Sequence, residues 1–337
     1  MAGCLARQLQ EIIQAGAVLP RWSLLCEKNR LDMPMQSPSS TENKSGNEEA
    51  LSRSVRLMKI AEAAARAVRD PLLVAFRSDM AVDYKVDLHD IVTIHDKRAE
   101  AAIRAVILER EPNSAIMGEE GGQIGNGEVQ WYVDPIDGTA NFARGLAFWC
   151  VSIAAVIGGE AVAGVVYDPV TDQMFSADLE ASYLNGERLR SRSVADETRA
   201  TLITGYPVSR DFRLDGRDAA LSNFGTLVET FSTLRRPGSA ALSIAHVAAG
   251  WTDAAAGFGV NAWDVAAAIL ILKNAGGTYE PLTLGKVAEG SADFLCPGYI
   301  ATGEGANYQT LQRVARSISA SRIARAVIPP SQTAANA

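Results

Sequence analysis

The pattern of apolar and polar positions predicts a chain built from two different halves. Short apolar runs crowd together in the first half, and Gly158 and Gly159 separate two of them in the manner of a hairpin turn. These runs predict strands at residues 114–117, 129–133, 149–157, 161–167 and 173–177. The second half alternates instead, with strands predicted near 201–205, 231–235 and 252–256 and helices near 217–229, 240–249 and 263–275. The alternation favours an α/β half packed behind an α+β half.

Apolar residues at helical intervals mark three segments outside these runs. They predict helices over residues 50–68, 96–109 and 306–322, with a polar loop over 77–88. Residues 37–49 are rich in Ser, Asn and Glu, a composition that buries too little apolar surface to fold. The predicted organisation is a disordered extension over 1–47, a folded domain over 48–323 with halves at about 48–190 and 191–323, and a loose tail over 324–337.

Composition narrows the functional classes. Hydrophobic residues make up 47% of the chain, which is enough for a sizeable core. The net charge of −7 argues against nucleic acid as a partner, since phosphate contacts need clustered Lys and Arg. No apolar run reaches the roughly 18 residues that a membrane span requires, and the N-terminus lacks the order of a secretory signal. The four cysteines show no metal-ligand spacing, which suits a cytoplasmic protein.

Acidic residues stand at the ends of three predicted elements. Asp134 and Asp137 follow a predicted strand and precede a helix opening at residues 138–139, while Glu119 follows the apolar run 115–117. Asp264 lies in the first turn of a buried helix. Carboxylates suit a hard cation such as Mg²⁺, and the N–H groups at a helix start suit a phosphate. On turn chemistry alone, the D-P-x-D-G-T stretch also fits an ordinary loop.

Four motifs together resemble the inositol monophosphatase-like family of Mg²⁺-dependent, Li⁺-sensitive phosphatases. They are D-I-V-T-I-H-D at 90–96, G-E-E at 118–120, D-P-I-D-G-T-A-N-F at 134–142 and W-D-V-A-A-A at 263–268. The resemblance spans roughly residues 50 to 320. It implies an α/β protein with stacked αβαβα layers and an active site between the halves. It further implies a cytoplasmic, commonly homodimeric phosphatase that hydrolyses a small phosphorylated metabolite with metal-activated water.

The resemblance also assigns roles to residues, with two or three Mg²⁺ ions in each site. Glu119, Asp134 and the Ile136 carbonyl would bind the first ion, and Asp134, Asp137 and Asp264 the second. Thr139 and Asp90 would orient the attacking water, although Asp90 equally fits a turn or helix cap. The substrate would contact the metal ligands Asp137 and Asp264 and the loop residues Gly138, Thr139, Gly238, Ser239 and Ala240. The loop equally fits a simple helix start, with Ser239 as the N-cap of the helix that follows.

One position departs from the family pattern and leaves the substrate open. Inositol monophosphatases carry a ring-gripping glutamate seven residues before the aspartate of the W-D motif, whereas this chain has Gly257. Histidinol phosphate, fructose 1,6-bisphosphate and 3′-phosphoadenosine 5′-phosphate are therefore alternatives to inositol 1-phosphate. A non-catalytic protein that retains the metal and phosphate site is a further alternative. A nucleotide-binding module is disfavoured because no glycine-rich phosphate loop follows a predicted strand.

Overall fold

A computed structural model describes residues 40–81, 83–84 and 91–327 of the chain. Within these residues the chain forms nine α-helices: α1 (Ser40–Ala67), α2 (Arg69–Ala75), α3 (Ile94–Arg110), α4 (Thr139–Arg144), α5 (Ser209–Asp215), α6 (Arg217–Thr230), α7 (Ala240–Ala248), α8 (Ala262–Asn274) and α9 (Gln309–Val327). The described residues from Gly46 onward form one compact unit. No helix in the described part of the chain is both long and apolar enough to cross a membrane.

The largest sheet has eight strands in the order β10-β9-β8-β7-β6-β5-β3-β4. Its strands are β3 (Ser114–Gly118), β4 (Gly122–Ile124), β5 (Val129–Asp137), β6 (Cys150–Ile157), β7 (Glu160–Asp168), β8 (Gln173–Ala177), β9 (Ser182–Leu184) and β10 (Glu187–Arg188). All neighbours are antiparallel except β3 and β5, which run parallel. The carboxyl ends of β3 and β5 therefore meet at one edge of the sheet.

The second sheet has five strands in the order β12-β11-β13-β15-β14. They are β11 (Thr201–Thr204), β12 (Thr233–Arg235), β13 (Ala254–Phe258), β14 (Thr278–Leu282) and β15 (Gly298–Thr302). The first three strands in sequence, β11, β12 and β13, are mutually parallel, and β15 returns antiparallel to both β13 and β14. A separate two-stranded ribbon joins β1 (Asp83–Tyr84) to β2 (Ile91–Val92).

Three apolar clusters define five layers. Helices α1, α2 and α3 pack on one face of the eight-stranded sheet, around Trp131 and Ile153. Helices α7 and α8 fill the space between the two sheets, where Val166 and Ala301 come from opposite sides. Helices α5, α6 and α9 cover the outer face of the second sheet. The layers follow the order αβαβα, so the fold class implied by the resemblance is confirmed.

Most predicted elements are present, with shifts at their ends. The predicted strand 129–133 continues to Asp137, and the predicted helix over 50–68 begins at Ser40. The helix predicted from residue 96 begins at Ile94, because Thr93 and Asp96 form a capping box. The terminal helix predicted over 306–322 runs from Gln309 to Val327. Helices α2 and α5 and strands β1, β2, β4, β9, β10, β14 and β15 were not predicted, and β1 lies within the segment 77–88 that was predicted as a polar loop.

Candidate active site

The parallel pairing of β3 and β5 brings two of the predicted acids together. Gly118 pairs with Val133, and the N–H of Glu119 donates to the Val133 carbonyl at 3.2 Å. Glu119 therefore leaves the sheet beside Asp134, which is 2% exposed. This proximity depends on strand register, and the sequence indicated it only through the position of each acid at a strand end.

A bulge in β5 turns its last residues out of the regular ladder. Asp134 pairs with Ser152 and Asp137 pairs with Cys150, so β5 has one residue more than β6 over this interval. The Ile136 N–H donates to Asp134 Oδ1 at 2.9 Å inside the bulge. Gly138 then adopts a φ of +101° as the N-cap of α4, a conformation that favours glycine.

Asp137 is held by the amino end of α7. Its Oδ2 accepts the Ser239 hydroxyl at 2.6 Å and the Ala241 N–H at 2.7 Å. Ser239 is also the N-cap of α7, because its Oγ accepts the Leu242 N–H at 3.2 Å. The N-cap interpretation of Ser239 is thus confirmed, and the same side chain fixes a carboxylate of the site. The thiol of Cys150, buried in β6, lies 3.9 Å from the same oxygen.

Asp264 enters the site from the amino end of α8. Asn261 is the N-cap, and its N–H donates to Asp264 Oδ2 at 2.8 Å in a capping box. The sequence prediction that Asp264 lies in the first turn of this helix is confirmed. Helices α7 and α8 therefore both direct their amino ends toward the acids, where their dipoles stabilise negative charge.

The buried acids of the site repel one another when ionised, which destabilises their charged forms. Burial raises the pKa of Asp134 well above its usual value, and Glu119, Asp137 and Asp264 raise it further. Burial raises the pKa of Asp137 to about 6, although the Ser239 and Ala241 hydrogen bonds oppose this shift. Burial and the charge of Asp137 likewise raise the pKa of Asp264. A cation would relieve this repulsion, because its positive charge would offset the like charges of the buried carboxylates.

The donor set fits Mg²⁺, which prefers oxygen ligands and particularly carboxylates. Glu119, Asp134, Asp137 and Asp264 supply carboxylates, and Ile136, which lies inside the bulge, would add a backbone carbonyl. Across the described residues no three His, Cys, Asp or Glu side chains are already arranged to hold an ion. The ligand assignments therefore remain proposals, supported by the shared burial and mutual repulsion of these acids.

Thr139 contacts a different aspartate from the one that the sequence suggested. Its hydroxyl lies 3.0 Å from Asp96 Oδ1 and 3.0 Å from the Ile136 carbonyl. Asp96 is 1% exposed, and burial raises its pKa although the Thr93 and Thr139 hydrogen bonds oppose the shift. Asp90, the predicted partner, lies outside the described residues. Asp96 ends the same D-I-V-T-I-H-D motif, and the structure places this residue against Thr139.

Glu100 was not singled out from the sequence, yet it fixes the loop that carries Glu119. Its two carboxylate oxygens accept the N–H groups of Glu120 at 2.7 Å and Gly121 at 2.9 Å. Arg104, one turn later in α3, forms an ion pair with it at 2.6 Å. The signal available in the sequence was an acid followed four residues later by an arginine in a predicted helix. The structure shows that this acid is buried, with 2% exposure.

A cleft of about 250 Å³ opens beside Asp137. The predicted substrate loop lines it with Gly238, Ser239 and Ala240, and Gly257 lies on its opposite side. Gly138 is close to this loop, since a Cβ built there would lie 3.4 Å from the Gly238 carbonyl oxygen. Thr139 and Asp264 belong to the acid cluster and are not among the residues that line the cleft.

Gly257 has no positive φ, so its backbone would accept a side chain. The space is nevertheless taken, because a Cβ built on Gly257 would lie 2.5 Å from Cε1 of Tyr299. A side chain at residue 257, such as the glutamate of inositol monophosphatases, would therefore collide with the Tyr299 ring in its present position.

Comparison with known proteins identifies the family. A sequence model of the inositol monophosphatase family matches residues 54–320, which is well over half of the chain. The chain belongs to the inositol monophosphatase family. A Pseudomonas aeruginosa relative named Nus factor SuhB is 40% identical over 249 residues, covering 71% of this chain and 89% of that protein.

Solved structures of this family share the fold. The extragenic suppressor protein SuhB of Bartonella henselae is similar with a TM-score of 0.67 at 29% identity, covering 79% of this chain and 98% of that one. An inositol monophosphatase of Anabaena is similar with a TM-score of 0.62 at 28% identity, covering 82% and 97%. One set of names denotes a phosphatase and the other a Nus factor, so the names alone do not decide whether this member is catalytic.

Proposed function

We propose that the chain is a Mg²⁺-dependent phosphatase that hydrolyses a small phosphate monoester. The observation that carries this proposal is the cluster of Glu119, Asp134, Asp137 and Asp264 at the ends of β3 and β5 and the start of α8. Burial and like charge raise the pKa values of its three aspartates, and a ligand-sized cleft adjoins Asp137. Clusters of perturbed acids next to a cleft are typical of functional sites.

Glu119, Asp134 and the Ile136 carbonyl would hold one Mg²⁺ ion, and Asp134, Asp137 and Asp264 a second, with room for a third left open. When bound, such ions lower the pKa of water and stabilise a leaving alkoxide. Thr139 would orient the attacking water through its hydroxyl oxygen and would pass a proton from this water to Asp96 through the hydrogen bond between them. The N–H groups of Gly138 and Thr139 would bind the phosphate oxygens. The alcohol would occupy the cleft near Gly238, Ser239 and Ala240.

The leaving alcohol of the substrate is the open part of this proposal. Gly257 supplies no carboxylate to grip inositol hydroxyls, so we expect no large preference for inositol 1-phosphate over other small monoesters. Histidinol phosphate, fructose 1,6-bisphosphate and 3′-phosphoadenosine 5′-phosphate therefore belong in the same substrate panel. Phosphate release from this panel, with and without Mg²⁺, tests both the reaction and its selectivity.

Metal dependence and the Asp134→Asn variant test the mechanism. Activity should require Mg²⁺, be abolished by EDTA, and be inhibited by Li⁺ or excess Ca²⁺. Asp134→Asn removes the carboxylate assigned to both ions, so kcat should fall by several orders of magnitude, and well beyond the tenfold that corresponds to about 1.4 kcal/mol. In EDTA the variant should melt no lower than the wild type, because it carries one buried charge fewer.

Asp178→Asn is a matched control for Asp134→Asn. Asp178 is also buried, but its carboxylate accepts the Glu180 and Ala181 N–H groups in a turn and takes no part in the acid cluster. This change should lower the melting temperature and leave kcat unaltered. Full activity of the wild type in chelator, or of Asp134→Asn in Mg²⁺, would contradict the metal mechanism.

A second candidate function is a non-catalytic factor role, which the name Nus factor SuhB of the relatives favours. In that case the acid cluster would bind metal and phosphate without turnover. The absence of phosphate release from every ester, combined with a Mg²⁺-dependent rise in melting temperature, would favour this role over the phosphatase.

We further propose a cytoplasmic homodimer, as the family resemblance implies, and light scattering of the purified chain measures that oligomeric state.

A further inference from the structure

Gly257 and Tyr299 form a cross-strand pair on adjacent strands β13 and β15. The ring of Tyr299 lies over the Cα of Gly257, in the space where any side chain at residue 257 would begin. On its other side the ring stacks on Tyr279, with centroids 5.6 Å apart and planes 13° from parallel. Tyr299 is therefore held in one orientation by a glycine and an aromatic ring.

The Tyr299 hydroxyl is positioned at the reaction site. Tyr299 is 3% exposed and lines the same cleft as Asp137 and Ser239. Its hydroxyl forms no hydrogen bond with a described residue, and it is not among the enclosed polar atoms that lack a partner. The hydroxyl of Tyr279, in contrast, is fully enclosed and has no partner among the described residues. A rigid ring with a hydroxyl open to the cleft is a group that a ligand can contact.

We infer that Tyr299 is a specificity-determining residue that contacts the leaving alcohol. Its ring forms the wall of the cleft where a residue 257 side chain would stand, and its hydroxyl donates a hydrogen bond to an acceptor atom of the alcohol. This inference rests on the proposed phosphatase function. The wall of the cleft at this point would then donate hydrogen bonds rather than accept them. A carboxylate at residue 257 would accept hydrogen bonds from hydroxyl groups, whereas the neutral phenol of Tyr299 donates to ether, carbonyl or hydroxyl oxygens.

Two small esters of equal length separate the two kinds of wall. Butyl phosphate has no acceptor in its alcohol chain, and 2-methoxyethyl phosphate has one ether acceptor and no donor. The wild type should prefer 2-methoxyethyl phosphate in kcat/KM by roughly 2- to 10-fold, the usual effect of one neutral hydrogen bond. Tyr299→Phe should abolish this preference by lowering kcat/KM for the ether alone, while inhibition by inorganic phosphate stays unchanged.

Tyr279→Phe is the matched control. It deletes the same hydroxyl from the stacked neighbour, which does not line the cleft, so the preference for the ether should persist. Gly257→Ala provides a second variant, because its methyl group displaces the Tyr299 ring and should raise KM for both esters with little change for inorganic phosphate. Equal kcat/KM for the two esters in the wild type, or the same effect from Tyr279→Phe as from Tyr299→Phe, would overturn the inference.

Failure of the phosphatase proposal gives a different result. If the wild type hydrolyses neither ester, calorimetric titration of both esters in the presence of Mg²⁺ decides between the remaining outcomes. Tighter binding of the ether that is lost in Tyr299→Phe would support Tyr299 as a ligand contact without catalysis. Equal affinity for both esters, or no binding of either, would overturn it.

Discussion

The carboxylate of Asp96 both caps the start of α3 and contacts Thr139 in the proposed active site. Its Oδ2 accepts the N–H of Thr93 at 2.8 Å and the Thr93 hydroxyl at 2.7 Å, while its Oδ1 faces Thr139. The sequence analysis named Asp90 as the partner of Thr139, but the D-I-V-T-I-H-D motif has an acid at each end, and Asp96 is the one that contacts Thr139 in the described residues. The choice depends on how the start of α3 meets the end of β5, more than forty residues later, which local spacing does not record.

Asp96→Asn tests which acid supports catalysis. An amide cannot hold a proton passed through the Thr139 hydroxyl, so kcat should fall by about 10²- to 10⁴-fold, the usual contribution of general acid-base catalysis. KM should change little. Steady-state kinetics at saturating Mg²⁺ measure both parameters.

Two further variants show whether a loss of kcat in Asp96→Asn comes from catalysis or from the helix cap. Thr93→Val removes the helix cap, which costs about 1 kcal/mol of stability, but should retain most of kcat. Asp90→Asn should also retain kcat. If Asp90→Asn instead causes the large loss and Asp96→Asn does not, Asp90 is the catalytic acid and Asp96 is only a cap.

At the scale of elements, the site depends on helix α3 as a support behind the loop of Glu119. The loop after β3 has no regular structure, and Glu100 satisfies two of its backbone donors. A Cβ at Gly118 would lie 2.4 Å from the Glu100 carboxyl carbon, so the glycine permits this close contact. The sequence predicted α3 from its apolar face, but a buried acid inside a helix has no local signal for what it contacts.

Glu100→Gln should weaken the metal site without removing a ligand. The amide has one acceptor where the carboxylate had two, so one N–H of Glu120 or Gly121 loses its partner and the loop loosens. Half-maximal activation should need about 10- to 100-fold more Mg²⁺, as is usual for groups that orient metal ligands. At saturating Mg²⁺, kcat should approach that of the wild type.

Glu109→Gln is the control for Glu100→Gln, since Glu109 lies on the exposed face of the same helix. Its Mg²⁺ dependence should match that of the wild type. A Glu100→Gln variant with a normal Mg²⁺ dependence would show that the loop holds its position without this support.

A second support joins α9 to α5 beneath the strand that leads to Asp264. Arg322 is 6% exposed and contacts Asp215 through two nitrogens, at 2.7 and 2.6 Å, and Asp211 at 2.9 Å. It also donates to the Phe258 carbonyl at 3.2 Å, at the end of β13. The folded domain predicted over 48–323 includes this arginine, although nothing in its local sequence distinguishes it from the exposed arginines of α9.

Arg322→Met should destabilise the protein strongly. Removing the guanidinium leaves two buried carboxylates without their counter-ion, which typically lowers the free energy of unfolding by about 3–5 kcal/mol. Adding Asp211→Asn and Asp215→Asn to Arg322→Met should restore much of this loss. Urea unfolding measures both variants, and Arg316→Met on the exposed face of the same helix should have little effect.

At the scale of the whole molecule, the order of elements was largely predictable and their pairing was not. Hydrophobic periodicity located five of the eight strands of the first sheet and the alternation of the second half. It missed β14, which contains Pro281 and lies at the edge of its sheet, where proline is tolerated. The layered arrangement came from the family motifs. The cross-strand contact between Gly257 and Tyr299 could not be predicted, because β15 reaches β13 from more than forty residues away.

The described buried face of α1 begins after residue 50. Among the side chains of α1 that the structure describes, residues 46–50 are exposed and Ser54 is the first buried position. The apolar face that packs on the eight-stranded sheet begins with Leu57 and continues to Val68. The family model likewise begins at residue 54.

Removal of residues 1–45 should therefore leave both stability and activity almost unchanged. The remaining chain retains the described buried face of α1, all three apolar clusters and every proposed ligand. Calorimetry should give a melting temperature within a few degrees of the full-length value, since about 1 kcal/mol corresponds to only a few degrees in a protein of this size. Phosphate release and light scattering on the same preparation test the site and the oligomer separately.

A large drop in melting temperature with normal light scattering would show that the extension docks on the body of the same chain. Dissociation of a dimer on truncation would show instead that the extension completes the interface.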